Sequence, residues 1–98
     1  MLCRHGDARL KRIEEQPGYT GGFGIDVVKA FRKRTQLIRA AKDERDFYAL
    51  KSLHYEKLKG NRKHQHSMRL NDQWRLILEI VDDAEGTTVV VVGIEDYH

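Results

Sequence analysis

The 98-residue chain is 40 % apolar and 34 % charged, a balance that fits one small globular domain and excludes a disordered or fibrous polymer. A domain of this size buries roughly 60–70 % of the surface its unfolded chain exposes, so a shallow cleft is expected in place of a deep cavity. The net charge of +3 hides a segregation, +4 over residues 1–50, +5 over residues 51–75 and −6 over residues 76–98, which suggests a directed field suited to an anionic partner.

Cys3 is the single cysteine. It excludes an internal disulfide and a cysteine-based zinc cluster, and it fits a reducing cytoplasm. No apolar run approaches the roughly 18 residues of a membrane span, and the first five residues lack an apolar signal-peptide segment. A soluble cytoplasmic protein is expected, with a mobile amino end.

Asp7 to Glu15 reads as a short helix. Asp7 caps its first turn, Leu10 and Ile13 lie one turn apart on one face, and Pro17 stops it. The glycine-rich stretch Gly18–Gly24 reads as a flexible connector; no Lys-Ser/Thr follows it, so it is not a P-loop. From Ile25 to Ala41 the apolar residues Val27, Val28, Phe31, Ile38 and Ala41 keep a helical spacing and predict the longest helix. Its basic side, with Lys29, Arg32, Lys33 and Arg39, is either a solvated face or a surface for RNA or a partner. Asp43 is expected to cap a further helix that buries Phe47 and Leu50 and ends near Lys51 and Ser52.

Beyond that point the apolar period falls to two. Residues 54–59 predict a short strand and Gly60-Asn61 a turn. His66 to Leu70 alternates as a half-buried strand, and Asn71-Asp72-Gln73 suits a hairpin turn. Trp74 to Val81 sets Trp74, Leu76, Leu78 and Ile80 against Arg75, Ile77, Glu79 and Val81. After a turn at Asp82–Thr87, the strand Thr88 to Glu95 carries four consecutive valines, Val89 to Val92, and is expected to be central and buried on both faces. The fold class predicted is α+β: two or three helices packed on one face of a small, curved, mostly antiparallel sheet of three to four strands, in one domain. The other, more polar face is left to bind.

Chemistry concentrates between Leu53 and Arg75. Lys57, Lys59, Arg62, Lys63, Arg69 and Arg75 stand there against only Glu56 and Asp72, with His54, His64 and His66 interleaved. That suits a polyanion. Arg75 lies off the parity of Trp74, Leu76 and Leu78 and so points to the opposite side of the sheet. On a rigid strand it could grip a phosphate bidentately and stabilise a phosphorane-like transition state; the plainer alternative is a cross-strand ion pair with Glu79 or Glu95. Asp96, Tyr97 and His98 follow the last strand. They could supply proton transfer from a histidine of ordinary pKa roughly 6.5 and base stacking from Tyr97, or simply fray. His64 and His66, two apart on a strand, should share a face, but no third ligand has metal-binding spacing, so no metal is expected. Attack by a ribose 2′-hydroxyl on its own phosphate needs a base, a proton donor and cations, and the two segments contain all three.

The runs Lys57-Leu58-Lys59-Gly60-Asn61-Arg62, then Ser67-Met68-Arg69-Leu70-Asn71-Asp72-Gln73-Trp74-Arg75, and the closing Glu95-Asp96-Tyr97-His98 together closely resemble the HigB toxins. These are the plasmid maintenance killer branch of the RelE/ParE superfamily. The helical segment from Val27 to Arg34 and the run Asp43 to Phe47 share the likeness. The resemblance implies the toxin of a type II toxin-antitoxin system, an endoribonuclease that enters the ribosomal A site and cuts translated mRNA without metal or cofactor. It further implies neutralisation by a cognate HigA-type helix-turn-helix antitoxin, with DNA contacted only through that complex.

Carried over by position, Lys59 would hold phosphate, Arg75 would stabilise the transition state, and Asp96, Tyr97 and His98 would position substrate and move protons. Arg62 and Arg69, with His54, Lys57, Lys63, His64 and His66, would contact RNA or ribosome. Glu56 stands where some relatives have a histidine, so the general base is Glu56, His54 or His98. The amino end is short for the family's first strand and is expected to be truncated or partly disordered. The rival readings are a ParE-like inhibitor of DNA gyrase that cleaves nothing, and an RNA-binding module without cleavage.

Overall fold

The computed structural model describes residues 1–96. Helices α1 (Ala8–Glu15), α2 (Ile25–Ala40) and α3 (Arg45–Ala49) accompany strands β1 (Leu2–His5), β2 (Glu56–Lys57), β3 (Gln65–Arg69), β4 (Trp74–Asp83) and β5 (Gly86–Asp96). The strands form one sheet in the order β1-β5-β4-β3-β2, and its apolar side shares a single core with the helices. The class is α+β as expected, but the sheet has five strands, not three or four. β2 to β5 form the expected antiparallel meander, whereas β1 pairs in parallel with β5, Leu2 opposite Thr88 through His5 opposite Val91. The amino end is therefore built into the sheet and not loose: Cys3 is buried in the core. No helix among the described residues is long and apolar enough to cross a membrane.

The first two helices form for the reasons visible in their residues. The Asp7 carboxylate accepts the Leu10 N–H at 2.8 Å and closes the first turn of α1. Leu10 and Ile13 are buried from α1, and Val27, Val28, Phe31, Thr35 and Ile38 from α2. Arg32 of that basic side is only partly exposed and is engaged within the chain. Its Nε donates to the Ile13 carbonyl at 2.8 Å, and its Nη2 to those of Gln16, Pro17 and Tyr19 at 2.9 to 3.3 Å. It thereby satisfies carbonyls that the end of α1 leaves open.

The glycine stretch is likewise tied down. Arg9 donates to the Gly21 carbonyl and lies 4.7 Å from the Phe23 ring centre, and Arg12 lies 4.0 Å from that of Tyr19. Gly21 has φ +62°, and a Cβ there would meet Ile13 Cδ1 at 2.9 Å, so only glycine fits.

Two expectations about α3 need correction. Asp43 accepts the Arg45 N–H at 2.9 Å, but the cap position is Glu44, whose side chain makes no capping bond, and the helix is only five residues long. Leu50 is 44 % exposed, because the chain there leaves the helix in an extended conformation and turns through a 3₁₀ turn at Lys51–Leu53 that buries Leu53 instead.

Glu14 of α1 knits three elements. It takes two bonds from Arg39 of α2, at 2.8 and 3.0 Å, and lies 2.6 Å from His5 Nε2 of β1. The Arg39 hydrogen bonds, helped by His5 and opposed by burial, hold its carboxyl down at about 2, against an ordinary 4.5. A depressed carboxyl contributes stability that is complete above pH 4.5 and drains away as pH falls towards 2. Glu14→Gln should therefore lower stability at pH 7 and flatten that acid limb, as read by urea unfolding across pH; an unchanged limb would show that the cluster contributes nothing.

The sheet has two unlike sides. Met68, Leu76, Leu78, Val89 and Val91 are buried against the helices, while strand alternation puts Ser67, Arg75, Ile77, Glu79 and Glu95 on the opposite side. The four valines are not buried on both faces: Val89 and Val91 are fully covered, and Val90 and Val92 only partly. β5 is interior, flanked by β1 and β4, although β4 is the middle strand. Between β4 and β5 the register slips, since Leu78 faces Val91 while Ile77 faces Gly93. Val92 is thus the extra residue of a β-bulge. The bulge resets the parity of β5, so that Ile94 joins the core side and Glu95 comes opposite Arg75 on the polar side.

Candidate functional site

Arg75 lies in the floor of the polar face, its side chain only about 10 % exposed. Its Nε donates to Ser67 Oγ at 2.9 Å, and its Nη2 donates to the His54 carbonyl at 2.6 Å and lies 3.6 Å from Glu56 Oε1. His54 can present that carbonyl because it takes a left-handed conformation, φ 46°, at the end of the 3₁₀ turn. The guanidinium is therefore fixed from three sides, by β3, by β2 and by the turn before it. Such pre-organisation is what an arginine needs to meet a developing charge without reorganising.

Two adjoining grooves share Arg75 as a wall. One, of about 360 Å³, is lined also by Leu58, Arg62, Ser67, Ile77, Glu95 and Asp96. The other, of about 290 Å³, is lined also by His54, Glu56, Arg69, Asn71 and Asp72. Both are shallow depressions, as the size of the domain requires.

The guanidinium groups around these grooves each hold a carboxylate. Arg62 forks onto Glu95 at 2.9 and 2.7 Å and onto Gln65 Oε1 at 3.1 Å, and the Glu95 bonds push its pKa up. Arg69 pairs with Asp72, and Arg75 with Glu56. The expected partners of Arg75 are thus redistributed. Glu95 is its register partner but is taken by Arg62, and Glu79 accepts from Gln65 Nε2 at 3.0 Å. A phosphodiester entering the grooves would compete with these carboxylates for the same N–H forks.

Of the remaining positions singled out by sequence, Asp96 lines the first groove and accepts from Gln73 Nε2 at 3.1 Å. Tyr97 and His98 lie outside the described residues. Lys59 and Lys63 are exposed on either side of the 3₁₀ turn Gly60–Arg62. His64 and His66 do not share a face. His64 precedes β3 and approaches Glu79 at 3.9 Å, whereas His66 faces the helices, stacked on Tyr55 with its Nε2 3.2 Å from Glu44. Lys57 is paired with His66 in register and so projects to that same side. The structure thus gathers Glu56, Arg62, Arg69, Arg75 and Asp96 around the grooves, with the His54 carbonyl among them, and leaves Lys57 and His66 behind the sheet. It adds Ser67, which sequence reading assigned no role and whose parity with Arg75 was the one available signal, and it gives Glu95 to Arg62 in place of Arg75.

Residues 6–98 match the family described as "HigB-like toxin: RelE-like toxin of type II toxin-antitoxin system HigB". No curated protein matches the chain. Among solved structures, the YoeB/ParE toxin from Agrobacterium tumefaciens superposes with a TM-score of 0.61 at 14 % identity, covering 100 % of both chains, a likeness of fold. With the family's pattern running through nearly all its residues and that fold beneath them, the chain belongs to the HigB-like toxins, the RelE-like toxins of type II toxin-antitoxin systems.

Proposed function

We propose that the chain is a ribosome-dependent endoribonuclease that cuts mRNA in the A site and so arrests translation and growth. The observation that supports it is Arg75, held by Ser67, the His54 carbonyl and Glu56 at the junction of two open grooves. The reaction is attack of a ribose 2′-hydroxyl on the adjacent phosphorus. The P–O5′ bond breaks, leaving a cyclic phosphate and a 5′-hydroxyl. Arg75 stabilises the extra negative charge on the phosphorane oxygens, and Lys59 holds the phosphate from the neighbouring loop. Glu56, half exposed beside Arg75, is the nearest carboxylate for taking the 2′ proton. Tyr97 and His98, with Asp96, position the scissile nucleotide and return a proton to the leaving oxygen. The base, the acid and the N–H forks suffice without a metal or cofactor. Arg62 and Arg69, with Lys63 and His64 beside them, contact RNA or ribosome. A type II toxin implies an antitoxin, and a HigA-type helix-turn-helix protein is the partner proposed.

Primer extension on mRNA recovered from cells expressing the chain tests the reading: breaks clustered in translated codons support it. Intact mRNA together with inhibited DNA supercoiling would replace it with a gyrase inhibitor.

A further expectation concerns the Arg62–Glu95 pair. Glu95→Gln frees the Arg62 fork for phosphate, so ribosome binding should tighten and its log–log salt slope steepen by roughly 0.7 to 0.9, the equivalent of one added phosphate contact. Co-sedimentation across a salt series measures both, and an unchanged slope would show that Arg62 does not meet the backbone.

A further inference from the structure

We propose that Tyr55 and His66, pinned together by Glu44, are positioning residues that fix Arg75 through the thickness of the sheet. Every anchor of Arg75 given above comes from a residue next to one of these two. His54 and Glu56 flank Tyr55, and Ser67 follows His66. Glu56 and Ser67 are register partners and face the grooves, so alternation sends Tyr55 and His66 to the helix side. There the two rings stack at 4.9 Å and 6°. The Tyr55 hydroxyl donates to Glu44 Oε2 at 2.7 Å, and His66 Nε2 lies 3.2 Å from the same oxygen. Phe47 and Tyr48 of α3 meet the Tyr55 ring edge-on at 5.2 and 4.8 Å.

The arrangement answers a structural need. β2 is two residues long and lies at the edge of the sheet, so its ladder alone holds it weakly. The stack welds β2 to β3 at the level where their front sides grip the guanidinium. The groups facing His66 are Glu44, Tyr55 and Lys57, and its Nδ1 is buried with no hydrogen-bond partner among the described residues. A charged imidazolium would leave an N–H there without an acceptor. Burial accordingly lowers the pKa below 6.5, with Glu44 opposing and Lys57 assisting. Both effects favour the neutral ring.

The consequence for cleavage rests on the ribonuclease reading; the geometric consequence does not. The test therefore has two readouts on the full chain: solvent exchange of the Arg75 Nε–H by ¹⁵N NMR, and single-turnover cleavage on translating ribosomes. Tyr55→Leu should speed that exchange about tenfold and slow cleavage about 10- to 100-fold, with half-saturating ribosome concentration within about twofold, because a small misplacement of a positioned group is felt in the chemical step. Tyr55→Phe, which keeps the stack but loses the hydroxyl's bond to Glu44, should recover only part of both losses. Unchanged Arg75 exchange in folded Tyr55→Leu overturns the proposal. If that variant does not fold, Glu44→Gln carries the test: faster exchange supports the device and unaltered exchange overturns it. Altered exchange in variants of a chain that never cuts RNA would retain the device and remove only the ribonuclease reading.

Discussion

Arg75→Lys is expected to cut mRNA about 10²- to 10³-fold more slowly than the unaltered chain, the loss typical of removing one pre-organised donor from a site of developing negative charge. Lysine keeps the unit charge but has one nitrogen, on a flexible stem, in place of a planar fork. It cannot satisfy Ser67 Oγ and the His54 carbonyl, as Nε and Nη2 of Arg75 now do at 2.9 and 2.6 Å, and still point donors into both grooves. Binding should survive, because Arg62, Arg69 and the exposed lysines still supply charge. Primer extension on translating ribosomes gives the rate, and co-sedimentation gives the binding. A rate within about threefold of the unaltered chain, a difference of less than 1 kcal/mol in barrier, would remove Arg75 from the chemistry.

Phe31→Ala should lower stability by about 3–5 kcal/mol, a large part of the 5–15 kcal/mol available to a domain of this size. Phe31 is fully buried in the middle of the inward face of α2, with the His5 ring 6.0 Å away. Its removal leaves a cavity bounded by backbone-anchored neighbours that cannot collapse into it. At about 4–8 °C per kcal/mol, the melting temperature should fall by at least 12 °C. Leu50→Ala is the contrast. Sequence spacing expected that leucine in the core, but 44 % of it is exposed, so its truncation should stay within about 0.5 kcal/mol. Thermal unfolding of the two variants side by side decides both; equal losses would contradict this account of the core.

What could be read in the residues was what depends on local period. The stripe of α2 and the cap of α1 were legible because each is set within one or two turns. The side of the sheet to which Arg75 points was legible because parity with Leu76 and Leu78 settles it. Where a feature depends on a distant partner, the pattern was silent or misleading. β1 is four residues long and carries Arg4 and His5, so nothing in it reads as a strand until Thr88–Val91 comes alongside. The run of valines suggested a strand covered on both faces, whereas one of the four is the bulge residue and two are only half covered. His64 and His66 share a face only if both lie in a strand, and the strand begins at Gln65. Arg32 could not be told from a solvated arginine, since its partners are backbone carbonyls that the sequence does not mark. Ser67 was missed, and Glu95 was matched to the wrong arginine, because common residue types acquire a role here only through register and reach.

The parallel pairing of β1 has a further consequence. It covers the flank of β5 from Thr88 to Val91, and without it the valine-rich part of that strand would present unpaired amides and carbonyls along an open border. Such a border is a template for another copy of itself. The first strand thus guards against self-association as well as completing the sheet, and substitutions that loosen its docking, proline at Arg4 among them, should surface as insoluble protein long before any loss of chemistry could be measured.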